Sequence, residues 1–271
     1  MELAYKRFGE GEPLIVLHGL YGSSDNWMSF GKKVSEKGFE VFLVDLRNHG
    51  DSGFEESHTY EDMTKDLFTF CYHHDIKTPV VLGHSMGGKA AMFFAAKYPD
   101  IVKKLVVIDI SPRAYKASDK ASQTVNHKHI IETMKNLNLN KIQTRTDAQK
   151  LLLKDIPNKP VVQFLLKNLT RDKRKNFVWK LNLEVLVRDL PKIMQGLSEA
   201  DVSNKEMLDE MPVLFIKGEK SGYISSEDHS LINNIFAKSN IVSISGAGHW
   251  VHAEQPEEVM KHILDFIGDK N

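Results

Sequence analysis

Short runs of apolar residues alternate with amphipathic segments along most of the chain. The apolar runs predict strands at residues 14–17, 41–44, 80–82, 105–108, 213–216 and 241–244, with a further edge strand at 5–8. Because these runs are continuously apolar, they are typical of parallel strands that are covered on both faces. Helical periodicity predicts helices at residues 27–37, 60–74, 86–98, 226–236 and 257–267. This alternation predicts an α/β fold with a doubly wound, mostly parallel sheet and right-handed crossovers.

The alternation stops between residues 112 and 211. This part of the chain has no convincing strand pattern, and its periodicity predicts helices at 117–137, 147–154, 161–169, 177–189 and 190–197. We therefore predict a core of residues 1–111 and 212–271, with an all-helical lid of residues 112–211 inserted between two core strands. We expect the lid to cover the carboxyl edge of the sheet, where open α/β sheets bind their ligands.

Composition narrows the class of protein. Lys plus Arg and Asp plus Glu number 36 each among 271 residues, and a balanced chain has no general attraction for nucleic acid. No apolar stretch is long enough to span a membrane, and the first residues lack the apolar centre of a signal peptide. Cys71 is the only cysteine, which excludes an intramolecular disulfide. We predict a cytoplasmic protein without a nucleic-acid partner or a membrane span, and the oligomeric state stays open.

Two features bear on metals and cofactors. The chain has no dinucleotide-binding glycine pattern and no phosphate-binding loop, so no cofactor is expected. His127 and His129 are two residues apart, but no third ligand lies nearby. We therefore predict that this pair lies on an exposed helix face rather than in a metal site.

Ser85 lies in the motif Gly83-x-Ser85-x-Gly87, between a predicted strand and a predicted helix. This context is that of a nucleophile elbow, in which a sharp turn holds a serine hydroxyl above the edge of a sheet. Glycines are needed in such a turn because neighbouring backbone comes too close for a Cβ. The pattern predicts Ser85 as a catalytic nucleophile.

A serine hydroxyl requires a base within hydrogen-bonding distance. His249 is the best candidate, because it follows the last strand in a glycine-rich loop before the final helix, and His252 is its nearby competitor. The backbone N–H groups of Met86 and Leu20 are the expected donors to a developing oxyanion. We expect His18 to orient the loop that carries Leu20, and the polar segment 45–52 to have a structural role.

The acid that would orient the base is less obvious. In this architecture it usually follows the strand at 213–216, but Ser221 occupies that position. Asp109 directly follows the preceding apolar strand, where a buried carboxylate needs a partner. We favour Asp109 as the acid, with Glu219 as the alternative. Asp109 as a simple turn cap at Ser111 is the competing structural interpretation.

The order Ser85, Asp109, His249, with the loop that carries His18 and the segment 45–52, resembles the α/β-hydrolase superfamily along nearly the whole chain. Segments 83–89, 107–112 and 177–183 are most similar to YbfF-type esterases and the related mammalian abhydrolase-domain proteins. The resemblance implies hydrolysis of short acyl esters and, in some members, of acyl thioesters. It also implies that the acid follows the earlier strand, in agreement with Asp109.

We predict a carboxylesterase-type serine hydrolase that cleaves short- to medium-chain acyl esters, or acyl thioesters, through an acyl-enzyme on Ser85. The predicted substrate-binding residues are Tyr21, Tyr115, Trp179, Tyr223, Ile224 and Trp250. The alternative is a carbon–carbon bond hydrolase or lyase with the same triad, in which Arg113 and Arg188 would hold a charged substrate. A non-catalytic sensor or scaffold is disfavoured, because a strained elbow has little reason to persist as packing alone.

Overall fold

The computed structural model describes residues 1–116, 119 and 126–268. Within these residues, seven strands form one sheet, namely β1 (Tyr5–Phe8), β2 (Glu12–Leu17), β3 (Phe39–Val44), β4 (Val80–His84), β5 (Lys104–Ile108), β8 (Val213–Gly218) and β9 (Ser239–Ile244). Their order across the sheet is β1-β3-β2-β4-β5-β8-β9. The edge strand β1 is antiparallel to β3, and the other neighbouring pairs are parallel. The predicted doubly wound, mostly parallel sheet is confirmed.

Helices cover both faces of this sheet. In chain order, the helices of the core and of the inserted segment are α1 (Met28–Ser35), α2 (Tyr60–His73), α3 (Met86–Lys97), α4 (His127–Asn136), α5 (Arg145–Asp155), α6 (Lys159–Leu165), α7 (Leu183–Ile193), α8 (Lys205–Glu210), α9 (Asp228–Ile235), α10 (Val251–Glu254) and α11 (Pro256–Gly268). Successive residues of β2 show the two layers. Leu14 and Val16 belong to the apolar cluster that includes α1 and α11, whereas Ile15 and Leu17 belong to the cluster that includes α2 and α3. No helix in the described parts of the chain is long and apolar enough to cross a membrane.

The segment between β5 and β8 differs from the prediction, because it is not all-helical. Strands β6 (Leu169–Arg171) and β7 (Phe177–Trp179) form an antiparallel hairpin where we predicted the end of one helix and the start of another. The aromatic and β-branched residues of β7 favour a strand, and Lys175 in the turn has φ of 66°. Part of the helix predicted at 117–137 lies outside the described residues, and α4 begins at His127.

The inserted segment covers the carboxyl ends of the core strands. Ile130 of α4 and Val161 of α6 line the same cavity as Ser85. Leu181, before α7, forms an isolated bridge with His49 in the polar segment that follows β3. The insertion therefore encloses the edge of the sheet at which the predicted site residues lie.

Candidate active site

Ser85 connects β4 to α3 with φ of 53° and ψ of −120°, a backbone conformation that side chains rarely adopt. A Cβ at Gly83 would lie 2.1 Å from the carbonyl oxygen of Gly87. A Cβ at Gly87 would lie 2.5 Å from the carbonyl oxygens of both Leu17 and His18. The sharp turn expected at Ser85 is present, and backbone crowding explains both glycines.

The imidazole of His249 lies between Ser85 and Asp109. Its Nε2 is 3.0 Å from Ser85 Oγ, and its Nδ1 is 2.8 Å from Asp109 Oδ2. A carboxylate only accepts, so Nδ1–H donates to Asp109 and leaves Nε2 free to accept the Ser85 hydroxyl proton. The geometry is that of a serine, a base and an acid in one hydrogen-bonded chain.

Asp109 is fully buried, and every contact of its carboxylate provides a donor. The Gly218 N–H donates to Oδ1 at 2.9 Å, and the Ser221 hydroxyl donates to Oδ2 beside His249. These bonds supply the partners that a buried carboxylate needs. Ser221, which occupies the position where an aspartate was expected, therefore contacts the aspartate on the neighbouring strand. Sequence reasoning missed this contact.

The alternative acid, Glu219, contacts the beginning of the loop that leads to His249. Its carboxylate accepts the Gly246 N–H at 2.7 Å and the Ser245 hydroxyl at 3.1 Å. These two bonds, chiefly that from Gly246, lower the pKa of Glu219. Glu219 thus braces the loop that leads to His249, and the geometry favours Asp109 as the partner of the imidazole.

The backbone N–H groups of Leu20 and Met86 lie in the wall around the serine. Both residues line the same cavity as Ser85. Neither N–H has a hydrogen-bond acceptor among the residues that the structure describes. Next to Leu20, Tyr21 has φ of 63°, and its N–H donates to His49 Nε2 at 3.4 Å. Two unpaired donors therefore lie close to the nucleophile candidate.

Buried histidines hold the loops around the site. His18 Nδ1–H donates to the Gly19 carbonyl at 2.9 Å, and its Nε2 accepts the Leu46 N–H at 3.0 Å. His84 Nε2 lies 2.9 Å from the carbonyl oxygen of His249. Burial lowers the pKa of His18, and it lowers that of His84 well below the ordinary value. The neutral rings act as hydrogen-bonding supports, as expected for His18 and missed for His84.

The segment 45–52 satisfies backbone and charged groups below the site. The Asp45 carboxylate accepts the N–H groups of Ser24 at 2.6 Å and Asp51 at 2.9 Å. The Arg47 guanidinium makes two bonds to Asp66, at 2.6 and 2.9 Å. These contacts agree with the structural role predicted for the segment.

Two small cavities meet at Ser85. We call the cavity of about 40 Å³ that reaches His249 the central cavity, and the cavity of about 30 Å³ that reaches Met86 the inner cavity. Of the predicted substrate-binding residues, Tyr21 and Trp250 line the central cavity, and Tyr115 and Tyr223 line the inner cavity.

Two predicted substrate-binding residues lie elsewhere. Ile224 is buried in the apolar core, and Trp179 donates its indole N–H to the Met134 carbonyl at 3.2 Å. Neither lines the central or the inner cavity in the described structure. Their assignment to the substrate-binding wall therefore stays a prediction, and the positions of both side chains weigh against it, because apolar residues in an enclosed fold pack against each other more readily than they face a cleft.

His127 contradicts the prediction of an exposed histidine pair. Its Nδ1 is 3.2 Å from the Tyr21 hydroxyl, and its Nε2 is 3.3 Å from the Tyr223 hydroxyl. The ring lines both cavities, and burial lowers its pKa to about 4. His129 is exposed, as predicted. Within the described ranges, no group of three or more His, Cys, Asp or Glu side chains could hold a metal ion.

Lys89 is a buried cation that sequence reasoning missed. Its ammonium donates to the carbonyl oxygens of Arg113, at 2.6 Å, and of Gln195. Arg113 lies at the start of the inserted segment and Gln195 follows α7, and Lys89 also lines the inner cavity. Burial, reinforced by the charge of Arg113, lowers the pKa of Lys89 to about 7.

The two arginines considered for a charged substrate are engaged outside the cavities. Arg113 forms ion pairs with Asp119 at 2.5 Å and Asp228 at 2.9 Å. Arg188 pairs with Asp189 at 3.0 Å. Neither arginine lines the central or the inner cavity of the described structure, which weighs against the alternative in which they hold a charged substrate.

His252, the competitor of His249, packs against other rings beside the site. Its ring stacks on Trp27 with centroids 4.4 Å apart and lies 4.5 Å from the ring of His84. Burial lowers its pKa to about 3. The imidazole that reaches Ser85 is that of His249.

Comparison with known families identifies the fold. The model of the alpha/beta hydrolase fold family matches residues 12–256. The chain belongs to this family. The fold class expected from the resemblance is thereby confirmed.

Individual members of the α/β-hydrolase family narrow the relationship. The chain is 36% identical over 264 residues to a zebrafish (Danio rerio) protein named sn-1-specific diacylglycerol lipase ABHD11. The matched region covers 96% of this chain and 79% of the relative. It is 32% identical over 257 residues to Esterase YbfF of Escherichia coli, covering 95% and 93% of the two chains. A solved structure described as a marine microorganism esterase superposes with a TM-score of 0.92 at 40% identity, covering 98% and 99%. The predicted likeness to YbfF-type and abhydrolase-domain proteins is confirmed, and these names bear out the prediction of a carboxylesterase-type hydrolase.

Proposed function

We propose that the protein hydrolyses carboxylic esters with short acyl groups through an acyl-enzyme on Ser85. The observation that carries the proposal is the hydrogen-bonded chain from Asp109 through His249 to Ser85, with its two links of 2.8 and 3.0 Å. It lies at the carboxyl edge of the sheet, inside an enclosed cavity. This is the constellation by which a serine hydroxyl becomes a nucleophile.

In the first half of the reaction, Ser85 Oγ attacks the ester carbonyl carbon as His249 Nε2 takes the hydroxyl proton. The oxygen of the tetrahedral intermediate accepts the N–H groups of Leu20 and Met86. Asp109 keeps the Nδ1 proton on the ring and stabilises the imidazolium. The intermediate collapses when the bond to the leaving oxygen breaks and Nε2 returns its proton to that oxygen. An acyl-enzyme and a free alcohol result.

In the second half, water attacks the acyl carbon while His249 Nε2 accepts its proton. The same two N–H groups hold the new oxyanion. Collapse breaks the bond to Ser85 Oγ, which regains a proton from the imidazolium, and the carboxylic acid leaves. A thioester would follow the same path with a thiol as leaving group.

The inner cavity supports the preference for a short acyl group. Its volume is about 30 Å³, while a buried site needs about 10–15 Å³ for each water-sized group. Such a space holds roughly two or three heavy atoms. Tyr115, Tyr223 and Met86 in its wall are bulky, so a longer chain requires them to move.

The test is hydrolysis of p-nitrophenyl butyrate by the wild-type protein and by Ser85→Ala. The exposed Ser226→Ala is the matched control. We expect turnover in the wild type and the control and none above background in Ser85→Ala. Equal turnover in all three contradicts the proposal. If no protein turns over while a fluorophosphonate still labels Ser85, a carbon–carbon bond hydrolase replaces the esterase as the conclusion.

A further inference from the structure

A third cavity, which we call the outer cavity, opens beside the central one. It has a volume of about 320 Å³. Asn26, Phe164, Trp250 and His252 line both the central and the outer cavity, so the two adjoin along a shared wall. The space on this side of Ser85 is therefore far larger than the inner cavity of about 30 Å³ on the other side.

The position of His249 decides which part of a substrate faces the outer cavity. The leaving oxygen receives its proton from His249 Nε2, so the leaving group must lie on the side of this imidazole. His249 lines the central cavity and, in the described structure, not the inner one. Met86, whose N–H is one of the two proposed donors to the oxygen of the acyl group, lines the inner cavity. The acyl chain thus points into the inner cavity, and the leaving group points through the central cavity towards the outer one.

The shared wall is apolar along part of its length. The rings of Phe164 and Trp250 lie 6.0 Å apart, on α6 of the inserted segment and before α10 of the core. A hydrocarbon stem of the leaving group would contact these two rings. Apolar contact of this kind contributes about 0.8 kcal/mol for each buried methylene.

The outer cavity also carries polar groups that have no partner. Lys167 lines it, and within the described residues its ammonium makes no hydrogen bond or ion pair. The Nδ1 atom of His252 is buried without a partner in the same part of the structure. Glu254, the acid in this wall, already accepts the N–H groups of Gly248 at 2.8 Å and Trp250 at 3.2 Å. The ammonium of Lys167 is therefore free to pair with an anion, whereas the Glu254 carboxylate in the same wall is directed to backbone N–H groups.

We propose that the outer cavity is a leaving-group site, which accepts an alcohol or thiol that carries an anionic end and places that end beside Lys167. The proposal rests on the function proposed above and names its substrate class: a small acyl group joined to a long, negatively charged leaving group. Either a carboxylate or a phosphate would serve as the anionic end beside Lys167, and the experiment distinguishes the two.

The carboxylate arm compares butyrate esters of ω-hydroxy acids of four to ten carbons with the butyrate esters of the matching ω-hydroxy amides. The phosphate arm compares S-butyryl-4′-phosphopantetheine with S-butyrylpantetheine. We expect kcat/KM to be about three- to tenfold higher for the anionic member of at least one pair at low ionic strength, since an exposed ammonium contributes modestly. The preference should shrink in 0.5 M NaCl because the salt screens the charge. The pair with the larger ratio of kcat/KM, anionic over neutral member, identifies whether the site prefers a carboxylate or a phosphate.

Three variants connect this preference to Lys167. Lys167→Gln should abolish the anion preference, and Lys167→Glu should reverse it. Lys173→Gln, an exposed lysine in the turn between β6 and β7, should leave it unchanged. The neutral amides and p-nitrophenyl butyrate report folding and basal activity in each variant. Equal kcat/KM within every pair overturns the leaving-group site, and so does a preference that persists in both Lys167 variants. Either result leaves the Ser85 esterase in place, provided that p-nitrophenyl butyrate is still hydrolysed.

Discussion

The phenol ring of Tyr223 stacks on the imidazole of His249, with centroids 4.0 Å apart and an angle of 22° between the planes. Tyr223 follows β8, whereas His249 follows β9, so the contact joins two loops of the site. Hydrogen bonds to Asp109 and Ser85 fix the ring of His249 along its edge, and Tyr223 covers one of its faces.

We expect Tyr223→Ala to lower kcat for p-nitrophenyl butyrate roughly 10- to 100-fold, because a misplaced base loses its alignment with the serine. Tyr223→Phe retains the stacked ring and loses only the hydroxyl near His127. The phenylalanine variant should therefore keep most of the activity. Similar kcat values for the two variants would show that stacking does not position the imidazole.

Replacement of Asp109 by Asn tests the acid. The amide removes the negative charge that stabilises the imidazolium and no longer selects the Nδ1–H tautomer, so kcat should fall by about 10⁴, as in the serine-protease example. Glu219→Gln is the matched control, since Glu219 bonds to the loop at Gly246 rather than to the ring. Steady-state kinetics with p-nitrophenyl butyrate distinguish the two. Normal turnover in Asp109→Asn would exclude Asp109 as the acid.

Ser85, Asp109 and His249 are predictable because each lies just after an apolar strand, and the carboxyl ends of parallel strands share one edge. The sheet is predictable for the same reason, since buried parallel strands leave continuous apolar runs. Hairpin β6–β7 is not, because strands of three residues are too short to show a period.

The surroundings of the triad depend on how distant segments dock. His127 begins an amphipathic helix, and nothing local indicates that its ring contacts Tyr21 and Tyr223. Lys89 lies next to small residues in α3, and its acceptors come from two separate parts of the insertion, at Arg113 and at Gln195. Such contacts follow from tertiary packing, which sequence periodicity does not report.

His127 forms a common wall of the inner and central cavities. We expect His127→Ala to join the two spaces and to raise the ratio of kcat/KM for octanoate over butyrate p-nitrophenyl esters roughly tenfold, since each methylene accommodated in a pocket contributes about 1–3 kcal/mol. His129→Ala, on the exposed side of the same helix, should leave the ratio as it is. An unchanged acyl preference in His127→Ala would mean that residues of the core select the chain length.

The buried histidines predict how stability depends on pH. Burial lowers the pKa of six of them, namely His18, His49, His58, His84, His127 and His252. For His58, burial and then the charge of Arg47 lower the pKa to about 3. In the unfolded chain these rings titrate near 6.5. Below pH 6.5 the unfolded state therefore binds protons that the folded state does not.

The free energy of unfolding should consequently be highest above pH 6.5 and fall as the pH drops from 6.5 towards 3, by up to about 1.4 kcal/mol per pH unit for each such ring. Urea unfolding at pH 7, 6 and 5 measures the slope. His58→Gln removes one of the six rings. It should lower the slope of the free energy of unfolding against pH by up to about 1.4 kcal/mol per pH unit, which is the contribution of one proton. The exposed His73→Gln should leave the slope unchanged. The slope, rather than the absolute stability, carries the test, because a substitution at His58 also alters packing against Met86. A free energy of unfolding that is constant between pH 7 and 5 would mean that these rings take up protons in the folded protein.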